Sequence, residues 1–401
     1  MSYDVEAVRS HFPALAEGAA HFDGPGGSQV PDVVADAVAG TLRAAVSNRG
    51  KVTAAERRAE DIVTGARQAV AELLGGTGQG IVFGRSMTQL TYDFSRTLAK
   101  EWGPGDEVVV TRLDHDANIR PWVQAAEAVG ATVRWADFDP ETGLLGVDTI
   151  AGLLSERTKL VAVTAAGNLL GTKPDIRAIT GLAHDAGALA YVDGVHLTPH
   201  GLVDITELGA DFYACSPYKF LGPHLGLVAA DPALLETLRP DKLLPSSNAV
   251  PERFELGTLP YELLAGTTAA VRFLAGLVPG EGTLRERLTV SMPLVEQYET
   301  RLRERLEAGL SGIAGVTLYG ALDRPRTPTV LFSLVGVTPG EVYQQLGADG
   351  VNAPAGTFYA LECARRLGLG DTGAVRAGIA PYSTESDVDR LVAGVARIAQ
   401  A

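Results

Sequence analysis

The chain has 401 residues, 46% hydrophobic and 20% charged, enough apolar material for one large domain and a smaller one, which excludes disorder as the main state. Its 48 acidic against 34 basic residues leave a formal charge of -14, which repels phosphate backbones and anionic bilayers and points to a small-molecule ligand, with no nucleic acid or membrane partner. Two cysteines, Cys215 and Cys363, are too few for a disulfide framework and lack metal-ligand spacing. With no signal-peptide pattern and no long apolar run, the expected compartment is the cytoplasm.

In chain order, residues 1–20 read as an N-terminal arm packing with the small domain, 21–264 as a large domain and 265–401 as a smaller C-terminal α/β domain. From residue 80 onward, short β-branched runs alternate with amphipathic helical stretches: GIVFG (80–84), EVVVTR (107–112), TVRWADF (132–138), LVAVTAA (160–166), ALAYVDG (188–194) and DFYACS (211–216). This alternation predicts βα units on a mostly parallel sheet, and the lack of period-two patterning predicts helices on both faces. Beyond Pro260 the pattern predicts long helices, the clearest over Pro293 to Leu310 and Ser386 to Gln400, with a strand at 329–335.

Open sheets of this kind bind ligands at the carboxyl edge, so the polar residues just after each strand are the candidates. Lys219, in CSPYKFLGPHLG, is one of only six lysines and is held there by turn formers, where it can form a Schiff base. Asp193 ends an apolar strand in YVDGVH and needs a cationic partner. A protonated pyridine nitrogen of pyridoxal phosphate (PLP) would serve, since the cofactor is an electron sink while that nitrogen is protonated. His115 follows a strand and could lie against a cofactor ring, and Asn168 in GNLLGT would suit a phenolic oxygen. In FGRSMTQLT, first-turn N–H groups with Ser86, Met87 and Thr88 could hold a phosphate, joined by Ser216 beside Lys219. Arg376, in AVRAGIAPYST, is placed to clamp an amino-acid carboxylate. GPGG at 24–27 lacks the preceding strand of a dinucleotide site and instead lets backbone approach the ligand, which makes Gly26 and Gly27 candidates beside a substrate.

Assembled, the chain resembles the class V aminotransferase family of PLP enzymes, and within it the cysteine desulfurase-like proteins. FDGPGGSQVP, LDHDANIRPW, GNLLGT, YVDGVH, CSPYKFLGP, RFELGT and VRAGIAPYST match in order and approximate spacing. The resemblance implies fold type I, with a mostly parallel seven-stranded-type sheet in the large domain, and a homodimer whose active sites lie at the subunit interface. It implies Lys219 as Schiff-base lysine, Asp193 at the ring nitrogen, His115 stacked on the ring and Asn168 at the ring oxygen. Thr88 and Ser216 would hold phosphate, Thr258 would complete the partner's phosphate site, and Arg376 would hold the substrate carboxylate. Two departures stand beside the cofactor: His196 where many desulfurases have glutamine, and Tyr218 where they have histidine, both able to move protons. A third is Tyr359, near the usual position of a sulfur-accepting cysteine, with Cys363 about one helical turn further on. The expected activity is therefore a C–S lyase acting by β-elimination on cysteine or a related amino acid, without a clear persulfide relay. The alternative is a biosynthetic relative: an epimerase, an aminotransferase or a carbon–carbon bond-forming enzyme. A PLP-binding protein without catalysis would not need the Arg376 clamp.

Overall fold

The computed structural model describes residues 3–400. Seven strands form the central sheet: β1 (Ile81–Gly84), β2 (Glu107–Thr111), β3 (Thr132–Ala136), β4 (Thr158–Thr164), β5 (Leu189–Asp193), β6 (Phe212–Cys215) and β7 (Gly226–Ala230), in the spatial order β1-β7-β6-β5-β4-β2-β3. The pairs from β3 through β6 are parallel, and β7 is antiparallel to both of its neighbours. The expected strands are therefore present. The reversed strand GLVAA was not anticipated, because a short run of small apolar residues after a Gly/Pro loop carries no directional signal.

The near-continuous apolar strands are explained by two cores. Val108, Val110, Leu160, Ala162, Tyr191 and Phe212 face one core, with Phe94 and Trp122 from the helices Met87–Leu98 and Arg120–Val129. Val109, Val161, Val163, Val192 and Tyr213 face the other, with Val63, Ile179 and Val271 from Ala54–Leu74, Ile176–Asp185 and Tyr261–Ala275. A strand sandwiched between helices has no solvent side, so alternation disappears.

A second, antiparallel sheet of β8 (Val316–Tyr319), β9 (Thr329–Leu334), β10 (Ala355–Gly356) and β11 (Ala374–Gly378) is ordered β10-β11-β9-β8. It packs on Leu302, Leu306 and Leu391 of the helices Leu284–Ser311 and Glu385–Ala399. The former helix begins nine residues before the expected Pro293, which sits inside it. A capping box of Thr283 and Glu286 starts it, and burial of Leu288, Met292 and Val295 around the proline outweighs the one backbone bond lost. The N-terminal segment is tied to the end of the chain: Tyr3 donates to the Pro381 carbonyl at 2.6 Å, and Arg9 binds Asp387 at 3.1 Å. Among the described residues no helix is long and apolar enough to cross a membrane.

Candidate active site

The parallel strands deliver their following residues to one edge, where a cavity of about 530 Å³ opens. Lys219, Asp193, His115, Asn168, Ser216 and Arg376 line it, joined by Tyr218, His196, Met87, Thr88, Gly26 and Tyr359. A larger groove, about 930 Å³, lies between the N-terminal helix and the helices around residues 37, 62 and 269, and contains none of these residues.

Lys219 closes a short 3-10 turn that begins right after β6. Its Nζ donates to the Pro25 carbonyl and lies 4.7 Å from the centre of the Tyr218 ring. Burial, and next the Arg376 charge, bring its pKa down to about 7, so much of the amine is unprotonated and nucleophilic near neutrality. Asp193 ends β5 and accepts from the Val195 N–H at 2.9 Å. Burial raises its pKa to about 6, leaving a carboxyl group short of a cationic partner. The residue after it has to be glycine, since a Cβ at Gly194 would lie 1.9 Å from the Tyr213 ring.

His115 is neutral: burial first, then Lys219 and Arg376, lower its pKa to about 3. Its Nδ1 accepts from the Ala117 N–H at 3.0 Å, and its ring stacks with Tyr359 at 5.4 Å. Arg376 stands on β11, 1% exposed, bound to Asp23 at 3.0 Å and donating to the Asn168 carbonyl at 3.1 Å. The Phe358 ring covers its guanidinium at 3.7 Å. Burial lowers Arg376 to a pKa of about 10, against the opposing pull of Asp23. Asn168 Nδ2 donates to the Phe358 carbonyl at 2.9 Å, while its buried Oδ1 has no partner.

The residues fit PLP. A side-chain amide, an undercompensated buried carboxyl, a near-neutral lysine and a helix start meet at one space. Gly226 lets β7 pass the helix start, where a Cβ would lie 2.1 Å from the Met87 nitrogen. Met87 and Thr88, in the first turn of that helix, line the cavity, and a helix start suits a phosphate. Three expected residues do not line it. Ser86 is the N-cap, its hydroxyl accepting from the Gln89 N–H at 3.1 Å; caps and phosphate sites share one sequence signature. Gly27 packs against the Tyr218 ring instead, and Thr258 is exposed on a loop elsewhere.

Tyr359 is 73% exposed at the cavity mouth, and both it and Phe358 have left-handed backbone, with φ of 59° and 53°. Cys363 is wholly buried in the core and burial raises its thiol pKa, so it faces neither cavity nor solvent. Phe358 and Asp23 were missed at the sequence level. Asp23 sat in a glycine-rich string read only for its backbone, and Phe358 carries no local signal.

A family model described as aminotransferase class-V matches residues 20–391. An uncharacterized protein of Mycobacterium tuberculosis is 37% identical over 99% of this chain and 100% of its own length. A cysteine desulfurase of Klebsiella pneumoniae is 30% identical over 99% of both. The solved structure of the Escherichia coli cysteine desulfurase CsdA superposes with a TM-score of 0.88 at 26% identity, covering 100% of this chain and 99% of that one.

Proposed function

Since the chain belongs to the aminotransferase class-V family, fold type I enzymes working with PLP, we propose that it is a C–S lyase that acts by β-elimination on cysteine or a related amino acid. The observation that carries this reading is the meeting of Lys219, Asp193 and Arg376 in one cavity while both cysteines, Cys215 and Cys363, are sealed in the core. PLP supplies an electron sink for the carbanion that forms when the substrate loses its α-proton. Lys219 would anchor the cofactor, and its near-neutral amine is suited to move the substrate's α-proton. Asp193 keeps the ring nitrogen protonated, and the bond relieves its own burial. Arg376 holds the substrate carboxylate in the plane of its guanidinium, with the Phe358 ring on its face, and Asp23 yields its place. His115 walls the ring as a neutral group, and Thr88, Met87 and Ser216 hold the phosphate. With no accessible thiol to accept sulfur, the leaving group would depart as sulfide or a free thiol, and hydrolysis of the remaining enamine by one water would give pyruvate and ammonia.

Two further placements belong to this reading. The chain works as a homodimer in which Thr258, exposed and away from its own cavity, reaches the partner's phosphate site; of residues 265–401, expected as the smaller domain, the stretch to Ala275 packs with the central sheet and the remainder carries the second sheet. His196 and Tyr218, both at the cavity, support a second reading in which a proton is returned to the substrate, as in epimerisation or transamination. The deciding experiment adds a panel of amino acids, L-cysteine included, to PLP-loaded protein and measures sulfide and pyruvate. Stoichiometric release from cysteine supports the lyase. A spectral response to another amino acid without sulfide selects the second reading.

A further inference from the structure

His196 stands on the turn after β5, 4% exposed, and lines the cavity. Its Nε2 meets two buried hydroxyls that come from the other sheet: Thr327 Oγ1 at 2.9 Å, just before β9, and Thr329 Oγ1 at 3.0 Å, at the start of β9. A neutral imidazole has one donor and one acceptor nitrogen, and its neighbours decide which is which. The Thr327 hydroxyl has a second acceptor, the Gly171 carbonyl at 3.3 Å. Among the described residues the Thr329 hydroxyl, on a residue with no exposed surface, has none. A protonated Nε2 would therefore orphan a buried O–H, whereas a bare Nε2 accepts from the Thr329 hydroxyl while the Thr327 hydroxyl donates to the Gly171 carbonyl. The ring proton then sits on Nδ1, which among the described residues no group accepts from and which is not among the sealed atoms.

We propose that Thr329 is a positioning residue that sets His196 in its Nδ1–H tautomer, so that His196 offers a hydrogen-bond donor to an anionic oxygen of whatever the cavity holds. The surroundings keep the ring neutral. Burial foremost, then His200, Arg376, Lys219 and Lys173, hold its pKa well below the ordinary value. On its other side, His196 meets the ring of His200 edge-on at 5.4 Å, and His200 is bonded to buried Glu299 at 2.9 Å. The tautomer is a property of the chain alone. Its use rests on the proposed reading of the cavity, where the anionic oxygen belongs either to the cofactor ring or to the substrate carboxylate.

The test is nitrogen NMR of the PLP-loaded protein labelled at its seven histidines, with His196→Gln identifying the ring signals. The expected result is a proton-free Nε2 and a protonated Nδ1 in the wild type and in Thr329→Ser, with the balance moving toward Nε2–H in Thr329→Val. A protonated Nε2 in the wild type, or a Thr329→Val ring identical to it, overturns the assignment. Binding then identifies the oxygen. If Thr329→Val weakens PLP roughly tenfold and displaces the pH dependence of its visible band, with Thr329→Ser restoring both, the partner is the cofactor. If only the amino-acid dissociation constant rises, it is the substrate. If neither moves, the donor role is wrong. A protein that never takes up PLP would sink the proposed function, while the ring signals would still decide the tautomer.

Discussion

The low pKa of Lys219 makes cofactor attachment an unusual function of pH. Burial, reinforced by Arg376, lowers the amine from an ordinary 10.5 to about 7. At pH 7 about half of the amine is then free, against roughly one part in three thousand for an unshifted lysine. Attack on the PLP aldehyde should be faster than that of free lysine by roughly a thousandfold on this ground alone. The assay follows the visible absorbance of lysine-bound PLP after mixing cofactor with PLP-free protein across a range of pH, with free lysine as the control for the titration of PLP itself. The expected rate rises with pH and levels off near 7. Removing the second cause should move the midpoint up in Arg376→Gln, and removing the opposing carboxylate should move it down in Asp23→Asn. A midpoint above about 9, or one indifferent to Arg376→Gln, would refute the reasoning. Lys219→Ala should show no band at all.

Asp193 carries a pH dependence of opposite consequence. Its folded pKa of about 6 lies above the ordinary 3.8, so its contribution to stability is complete below that ordinary value and is lost as pH rises through 6. About two units correspond to roughly 3 kcal/mol, so PLP-free Asp193→Asn should gain up to that much over wild type at pH 7 and little at pH 4, while binding PLP more weakly; denaturant melts at the two pH values check this, and equal differences at both would contradict it. Cys363→Ala should retain full turnover of whatever amino acid the enzyme accepts, at a cost of about 1 kcal/mol from the small void left in the core. Iodoacetamide should leave Cys363 unlabelled in the native protein, and loss of turnover in a folded variant would restore a role for the thiol.

The site was most legible where the fold makes function local. A parallel βα unit places the residues after a strand at the ligand edge, so Asp193, His115, Asn168 and Lys219 could each be picked from a few residues of context. What stayed hidden depends on meetings across the chain. Asp23 and Arg376 are separated by 353 positions, and nothing in FDGPGG announces a carboxylate aimed at a distant guanidinium. Phe358 and Tyr359 adopt a left-handed backbone that their residue types disfavour and that only the surrounding contacts impose. Ser86 illustrates an ambiguity of another kind: a hydroxyl before a helix satisfies the helix itself before any ligand. In the helix carrying Pro293, the break suggested by one residue was overruled by a cap ten residues earlier.

The burial of both cysteines bears on the conditions the protein can endure. Cys215 ends strand β6 and Cys363 lies in the helix Leu361–Arg366, both in the core with no exposed surface, and burial raises both thiols well above their ordinary pKa. Peroxide and disulfide reagents attack thiolates, and this chain shows them none. Catalysis that runs through a lysine, a carboxylate and a guanidinium has no oxidisable group among those three, so oxidative stress should leave it working at doses that silence an enzyme dependent on a reduced cysteine.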